Sequence, residues 1–150
     1  MAPHPDRPAA GHRSLPHTAD TRIEAWAPDR ERCLAEAVTG LVASFADLAD
    51  LAGAPPRRGV TAHLPPAADE DLLVALLDEV IYRLEVHGEL PLAAEVAAAP
   101  DGGLDVRLAM AAAEAVQAVG ALPKAVSLHG LHLTRGSADG GWSCAFTVDV

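Results

Sequence analysis

At 150 residues, half of them hydrophobic but only 3% aromatic, the chain is sized for one domain with a core of Ala, Leu and Val. Lys and Arg number 11 against 21 Asp and Glu, a formal charge of −10, and the longest basic run, Arg57-Arg58, reads as a solvated loop pair. This balance argues against direct nucleic-acid binding, which needs clustered cations, and no apolar run approaches the ~18 residues of a membrane span.

MAPHPDRPAA (1–10), with Pro3, Pro5 and Pro8, can sustain neither a helix nor a central strand, so a disordered tail is expected before an ordered domain over 11–150. It also lacks the apolar core of a signal peptide, and a cytoplasmic location is expected. A short extended piece runs into Pro16, and a strand is expected from Thr21 to Ala27, with His17, Thr18 and Asp20 at its mouth. After Pro28, Asp29 is placed to cap a helix. Leu34, Ala37, Val38, Leu41, Val42, Phe45 and Leu48 then recur at three- and four-residue steps as one stripe. GAPPRRG (53–59) ends it and VTAHL (60–64) is a short strand. Asp69 reads as the next cap, with Glu70 and Asp71 in the positive first turn. A stripe from Leu72 to Leu84 follows, and Gly88 is the left-handed stop.

From Leu90 the period becomes two, and PDGG (100–103) is a hairpin turn into Leu104, Val106, Leu108 and Met110. AAAEAVQAVGA (111–121) is expected to be a loop. In KAVSLHGLHLTRG (124–136) the apolar phase slips from Val126 and Leu128 to Leu131 and Leu133. A β-bulge at Gly130 is therefore expected, with His129 and His132 both facing away from the core. A second hairpin, ADGG (138–141), leads to a strand with Trp142, Cys144, Phe146 and Val148 on one face and Thr147 and Asp149 on the other. Cys33 and Cys144 give neither a disulfide framework nor metal-ligand spacing, and read as packing residues. Two amphipathic helices and about six strands, mostly joined by hairpins, predict a single α+β domain with mixed or mainly antiparallel pairing and the helices packed on the sheet.

Four blocks carry a resemblance: HTAD and its strand (17–26), DLLVALLDEVIYRLEVHGELP (71–91), KAVSLHGL (124–131) and GWSCAFTVDV (141–150). In this order they resemble the archease family over roughly residues 11–150. The resemblance implies a small acidic, non-enzymatic protein cofactor that helps a GTP-dependent tRNA-splicing RNA ligase through guanylylation and repeated turnover. It also implies a divalent-cation site, assigned to calcium with magnesium as the alternative, at Asp20, Asp149 and Val150. The chain departs from the family pattern at Ser127-Leu128, where Thr-Tyr is common, and in its Ala-rich connection before Lys124.

On their own chemistry, Asp20, Asp149 and a terminal carboxylate at Val150 would form an all-oxygen cluster suited to a hard cation, provided the first and last strands are neighbours. The plainer alternative is an Asx turn at Asp20 and a solvated Asp149. His17 fits a structural hydrogen bond better than a ligand. Ser127, His129 and His132 lack the strained elbow of a nucleophile, Lys124 reads as a polar residue entering a strand, and the glycine pairs are hairpin turns rather than phosphate loops. The functional expectation is therefore a ligase cofactor. The alternative is a general chaperone or adaptor for RNA-processing proteins with a purely structural cation. A metal-dependent hydrolase would need a general base near Asp149, and none can be named.

Overall fold

The computed structural model describes residues 8–16, 20–136 and 140–150. Residues 1–7 of the expected tail, His17 and Thr18, and part of the 138–141 hairpin lie outside them. Pro8, near the end of the tail, accepts a hydrogen bond from the Trp26 indole at 2.8 Å, and Ala10 packs on the core.

Two extended runs come first, β1 (Gly11–Pro16) and β2 (Asp20–Ala27), and the period-two alternation of β2 buries Ile23, Ala25 and Ala27. Helix α1 (Arg30–Ala43) begins where Asp29 accepts from the Arg32 amide at 2.8 Å, as its position predicts. The apolar stripe does not continue to Leu48 in one helix. The Ser44 hydroxyl donates to the Leu41 carbonyl at 2.6 Å, and Asp47 caps a separate short helix, α2 (Leu48–Ala52), by accepting from the Ala49 and Asp50 amides. The break is held from outside. Gln117 accepts from the Asp47 amide at 3.0 Å, and its own amide donates to the Asp50 carboxylate at 2.7 Å. Val119 donates its amide to the Phe45 carbonyl at 2.9 Å.

After β3 (Arg58–Leu64), helix α3 (Asp69–His87) buries its whole predicted stripe, Leu72 to Leu84, and stops at Gly88, whose φ of 62° is left-handed. Asp69 is its first helical residue, not its cap. Ala68 takes the cap position without a side-chain bond, and Asp69 instead accepts from Arg30 at 2.8 Å, tying the start of α3 to the start of α1. Strands β4 (Glu89–Ala98) and β5 (Leu104–Ala112) follow, joined through the expected turn, where Asp101 accepts from the Gly103 amide at 2.8 Å. The Ala-rich stretch lengthens β5 by two residues and makes one 3₁₀ turn (Ala113–Ala115) before running irregularly to β6 (Ala125–Arg135). The last strand is β7 (Trp142–Asp149).

The strands form two sheets, ordered β1-β2-β7-β6 and β3-β5-β4, with every pairing antiparallel. Helix α1 packs on β1, β2 and β7 of the first sheet and β4 of the second, while α3 packs on β6, β3 and β4. In the main apolar cluster, Leu34, Leu41, Leu73 and Leu76 of the helices meet Ile23 and Phe146 of one sheet and Val106 and Met110 of the other, and a second, smaller cluster gathers Val42, Phe45, Leu51, Leu84 and Leu90. Both cysteines are buried and free, and the Cys33 thiol donates to the Ala25 carbonyl at 3.7 Å. Hydrogen bonding with Cys33, together with burial, pushes the Cys144 thiol far up, which fits the packing role expected of both. No described helix is long and apolar enough to cross a membrane.

The slip in β6 is larger than a one-residue bulge. Its register with β7 passes from Ser127 opposite Thr147 to His132 opposite Ala145, so Leu128 to Leu131 stand against Phe146 alone. Gly130 takes φ 69° within this excursion, which a side chain would strain. His129 is exposed as expected. His132 is half-buried, and its Nδ1 is buried without a hydrogen-bond partner.

On the second sheet, His63 lies between two carboxylates, its Nδ1 2.9 Å from Asp105 and its Nε2 2.8 Å from Asp101. Hydrogen bonds to Asp105 and then Asp101 raise its pKa above the usual value of 6.5. A raised folded-state pKa contributes stability that is complete below about pH 6.5 and is lost as pH rises through the folded value. Thermal melts should therefore show wild type above His63→Gln at pH 5.5, with the two converging by pH 8.5. The gap should be small because all three groups are solvated. Parallel curves across that range would refute the assignment.

Candidate functional site

The first and last residues of two neighbouring strands define the site. Antiparallel pairing of β2 with β7 sets Asp20 directly opposite Asp149, and every later pair follows in register to Ala27 opposite Trp142. The hydrophobic pattern fixes this register. Ile23, Ala25, Phe146 and Val148 are all buried, and a one-residue slip would turn a whole strand's apolar set to water. Asp20 and Asp149 consequently share the outer face of the sheet, Asp20 half-buried and Asp149 exposed. Directly opposed residues in such a ladder have Cβ atoms roughly 4.5–5.5 Å apart, and like charges there destabilise the pairing.

The other edge of β7 is fastened as well. Ala125 of β6 stands opposite Asp149, and Lys124 donates its amide to the Asp149 carbonyl at 2.8 Å. Lys124, a plain polar residue on sequence, therefore flanks the acidic pair across one strand. Nothing in a linear reading marks it, because its proximity depends on the β6–β7 register. Arg22, two residues along β2, donates from Nη1 and Nη2 to the Gly130 carbonyl of the bulge at 3.4 and 3.5 Å. Val150 is half-buried and packs against the main core, which fixes the backbone immediately after Asp149.

Of the sequence-based site residues, Asp20, Asp149 and Val150 lie together at one end of the first sheet, while His17 is outside the described residues. Among the described residues no three His, Cys, Asp or Glu side chains gather as a metal-binding group. The donors on hand are two carboxylates and main-chain oxygens, all hard, so they fit calcium or magnesium with water completing the shell, and they do not fit zinc. Ser127 accepts from the His129 amide at 3.2 Å, a local turn bond rather than a nucleophile paired with an imidazole base.

A second cluster was missed on sequence. Arg57 and Arg58, read as solvated, meet Glu89, which is 2% exposed and the single buried charged side chain among the described residues. Arg58 Nε lies 3.0 and 3.1 Å from the two carboxylate oxygens and Nη2 2.7 Å from one. The Arg58 guanidinium holds the Glu89 carboxyl below the usual range against the opposing effect of burial.

Comparison with known proteins adds three findings. A family model described as the archease protein family matches residues 12–150. Proteins called "Probable protein archease" from two strains of Mycobacterium tuberculosis are 49% identical over 143 residues, which is 95% of this chain and 76% of each relative. The solution structure of Protein 1598 from Methanobacterium thermoautotrophicum superposes with a TM-score of 0.68 over 93% of this chain and 99% of that one. At 21% identity, that likeness shows a common fold.

Proposed function

Since the chain belongs to the archease family, we propose that it is a non-enzymatic protein cofactor of a cytoplasmic GTP-dependent RNA ligase, promoting the ligase's guanylylation and repeated turnover. The observation that carries the reading is the direct opposition of Asp20 and Asp149 on the outer face of the first sheet. Two carboxylates held opposite one another repel unless something cationic lies between them. Asp20, Asp149 and the main-chain oxygen of Val150 would hold a divalent cation, with calcium favoured and magnesium the alternative. A bound ion of that kind neutralises the pair and supplies Lewis acidity toward phosphate oxygens.

The chain's own residues set up the rest. The Lys124 amide clamps the Asp149 backbone, and burial of Val148 on one side and packing of Val150 on the other prevent the strand end from fraying. With a formal charge of −10, the molecule suits a basic partner surface, such as that of a protein which itself handles RNA, and complementary fields speed such encounters. The second reading, a chaperone or adaptor with a structural cation, draws on the same pair, because an ion there would also staple β2 to β7. A reconstituted assay tests the proposal: added protein should raise both the fraction of guanylylated ligase and the number of turnovers per ligase. If neither rises, the proposal fails.

A further inference from the structure

The second sheet carries a pocket of about 300 Å³ lined by Arg57, Arg58, His87 and Glu89, at the small end of the roughly 300–1,000 Å³ typical of ligand sites. In a chain of formal charge −10, it brings two arginines and a histidine together around one pocket. Two arginines against one glutamate leave it net positive even with His87 neutral.

Glu89 explains how the arginines are held. Burying a carboxylate costs solvation, and a buried ion pair seldom adds stability over apolar residues of the same volume. What the pairing does provide is direction. Arg58 gives its Nε–Nη2 edge to Glu89, with Arg57 Nε 3.6 Å from the same carboxylate. The Nη1 end of Arg58 and the fork of Arg57 remain, on side chains that are 46% and 55% exposed. A planar guanidinium locked from behind and open in front is the geometry that accepts two phosphate oxygens side by side. A metal cation is unsuited to the pocket, since the only carboxylate there is already paired and two guanidiniums face it.

We propose that this pocket binds a small phosphate-class anion, through Arg57 and Arg58, with Glu89 as the positioning residue. The site lies on the second sheet, away from the Asp20–Asp149 pair on the first, and does not depend on the function proposed above. The probes are inorganic phosphate and, separately, diphosphate, titrated into the isotope-labelled chain while the arginine Nε–Hε signals are followed by NMR. Saturable shifts at Arg57 and Arg58 are expected, with Kd about 1 mM or tighter and diphosphate ahead of phosphate. Arg57→Gln should weaken binding about tenfold or more without changing the melting temperature. Arg58→Gln would strand a buried carboxylate, so the double variant Arg58→Met/Glu89→Leu replaces it, keeping the fold while abolishing binding. The proposal is overturned if neither anion gives a saturable shift, or if Arg57→Gln binds as wild type does. Binding of a single-stranded oligonucleotide with no response to either anion overturns it equally.

Discussion

Asp149→Asn is expected to drop ligase stimulation to the level seen without the protein, while its melting temperature without calcium stays within about 2 °C of wild type. The reason is the register: Asp149 is exposed on the outer face and its backbone, not its carboxylate, is clamped by Lys124. Removing one of two opposed like charges relieves repulsion, so the apo fold loses nothing and gains slightly. Asp20→Asn should likewise abolish stimulation. Calcium then separates the outcomes. A ligand binding only the folded state at 100 times its Kd adds about 2.7 kcal/mol, so wild type should melt several degrees higher with calcium, and neither variant should respond. If the cation were only a staple, calcium-dependent stability and ligase binding would fall together, and stimulation would return once the variants were cooled well below their melting points. If instead the variants stimulate like wild type at every temperature, the pair has no part in the function.

Most of this geometry was legible before any coordinates. Alternation in 21–27 and 142–149 gave the faces of β2 and β7, and the apolar spacing gave α3 along its length, whereas in β6 the excursion leaves Leu128, on the expected apolar phase, 74% exposed and His132 half-buried. The errors share one cause: contacts distant in sequence overrode local pattern. Phe45 and Leu48 keep the helical stripe, yet α1 ends at Ala43 because Gln117 and Val119 bond the chain where it would have continued. Asp69 looks like a cap, yet Arg30 claims its carboxylate. Glu89 sits in an ordinary HGEL string, and only the fold brings Arg57 and Arg58 to it from 32 and 31 positions earlier. A buried charge has no signature without its partner. The one available hint was Arg57-Arg58 itself, the only paired basic residues in an acidic chain.

Phe146→Ala should be the most damaging single truncation in the first sheet, lowering stability by about 3–5 kcal/mol. Phe146 is fully buried on β7, directly opposite Ile23 of β2, and on its other side it meets the four-residue excursion of β6 without a paired residue to fill a void. Truncating it leaves a void in the main core cluster, which neighbours packed at interior density fill only partly. Against a typical total of 5–15 kcal/mol this is a large share, and for a chain of this size it corresponds to about 6–20 °C in melting temperature. The expected phenotype is the reverse of Asp149→Asn: low stability, but stimulation retained at temperatures where the variant stays folded, since the backbone pairing that opposes Asp20 to Asp149 survives. Scanning calorimetry and ligase assays at 10 and 37 °C would show the contrast. A Phe146→Ala protein that melts with wild type would mean that β7 is not the buried centre of its sheet, and the opposition of the two aspartates would lose its structural basis.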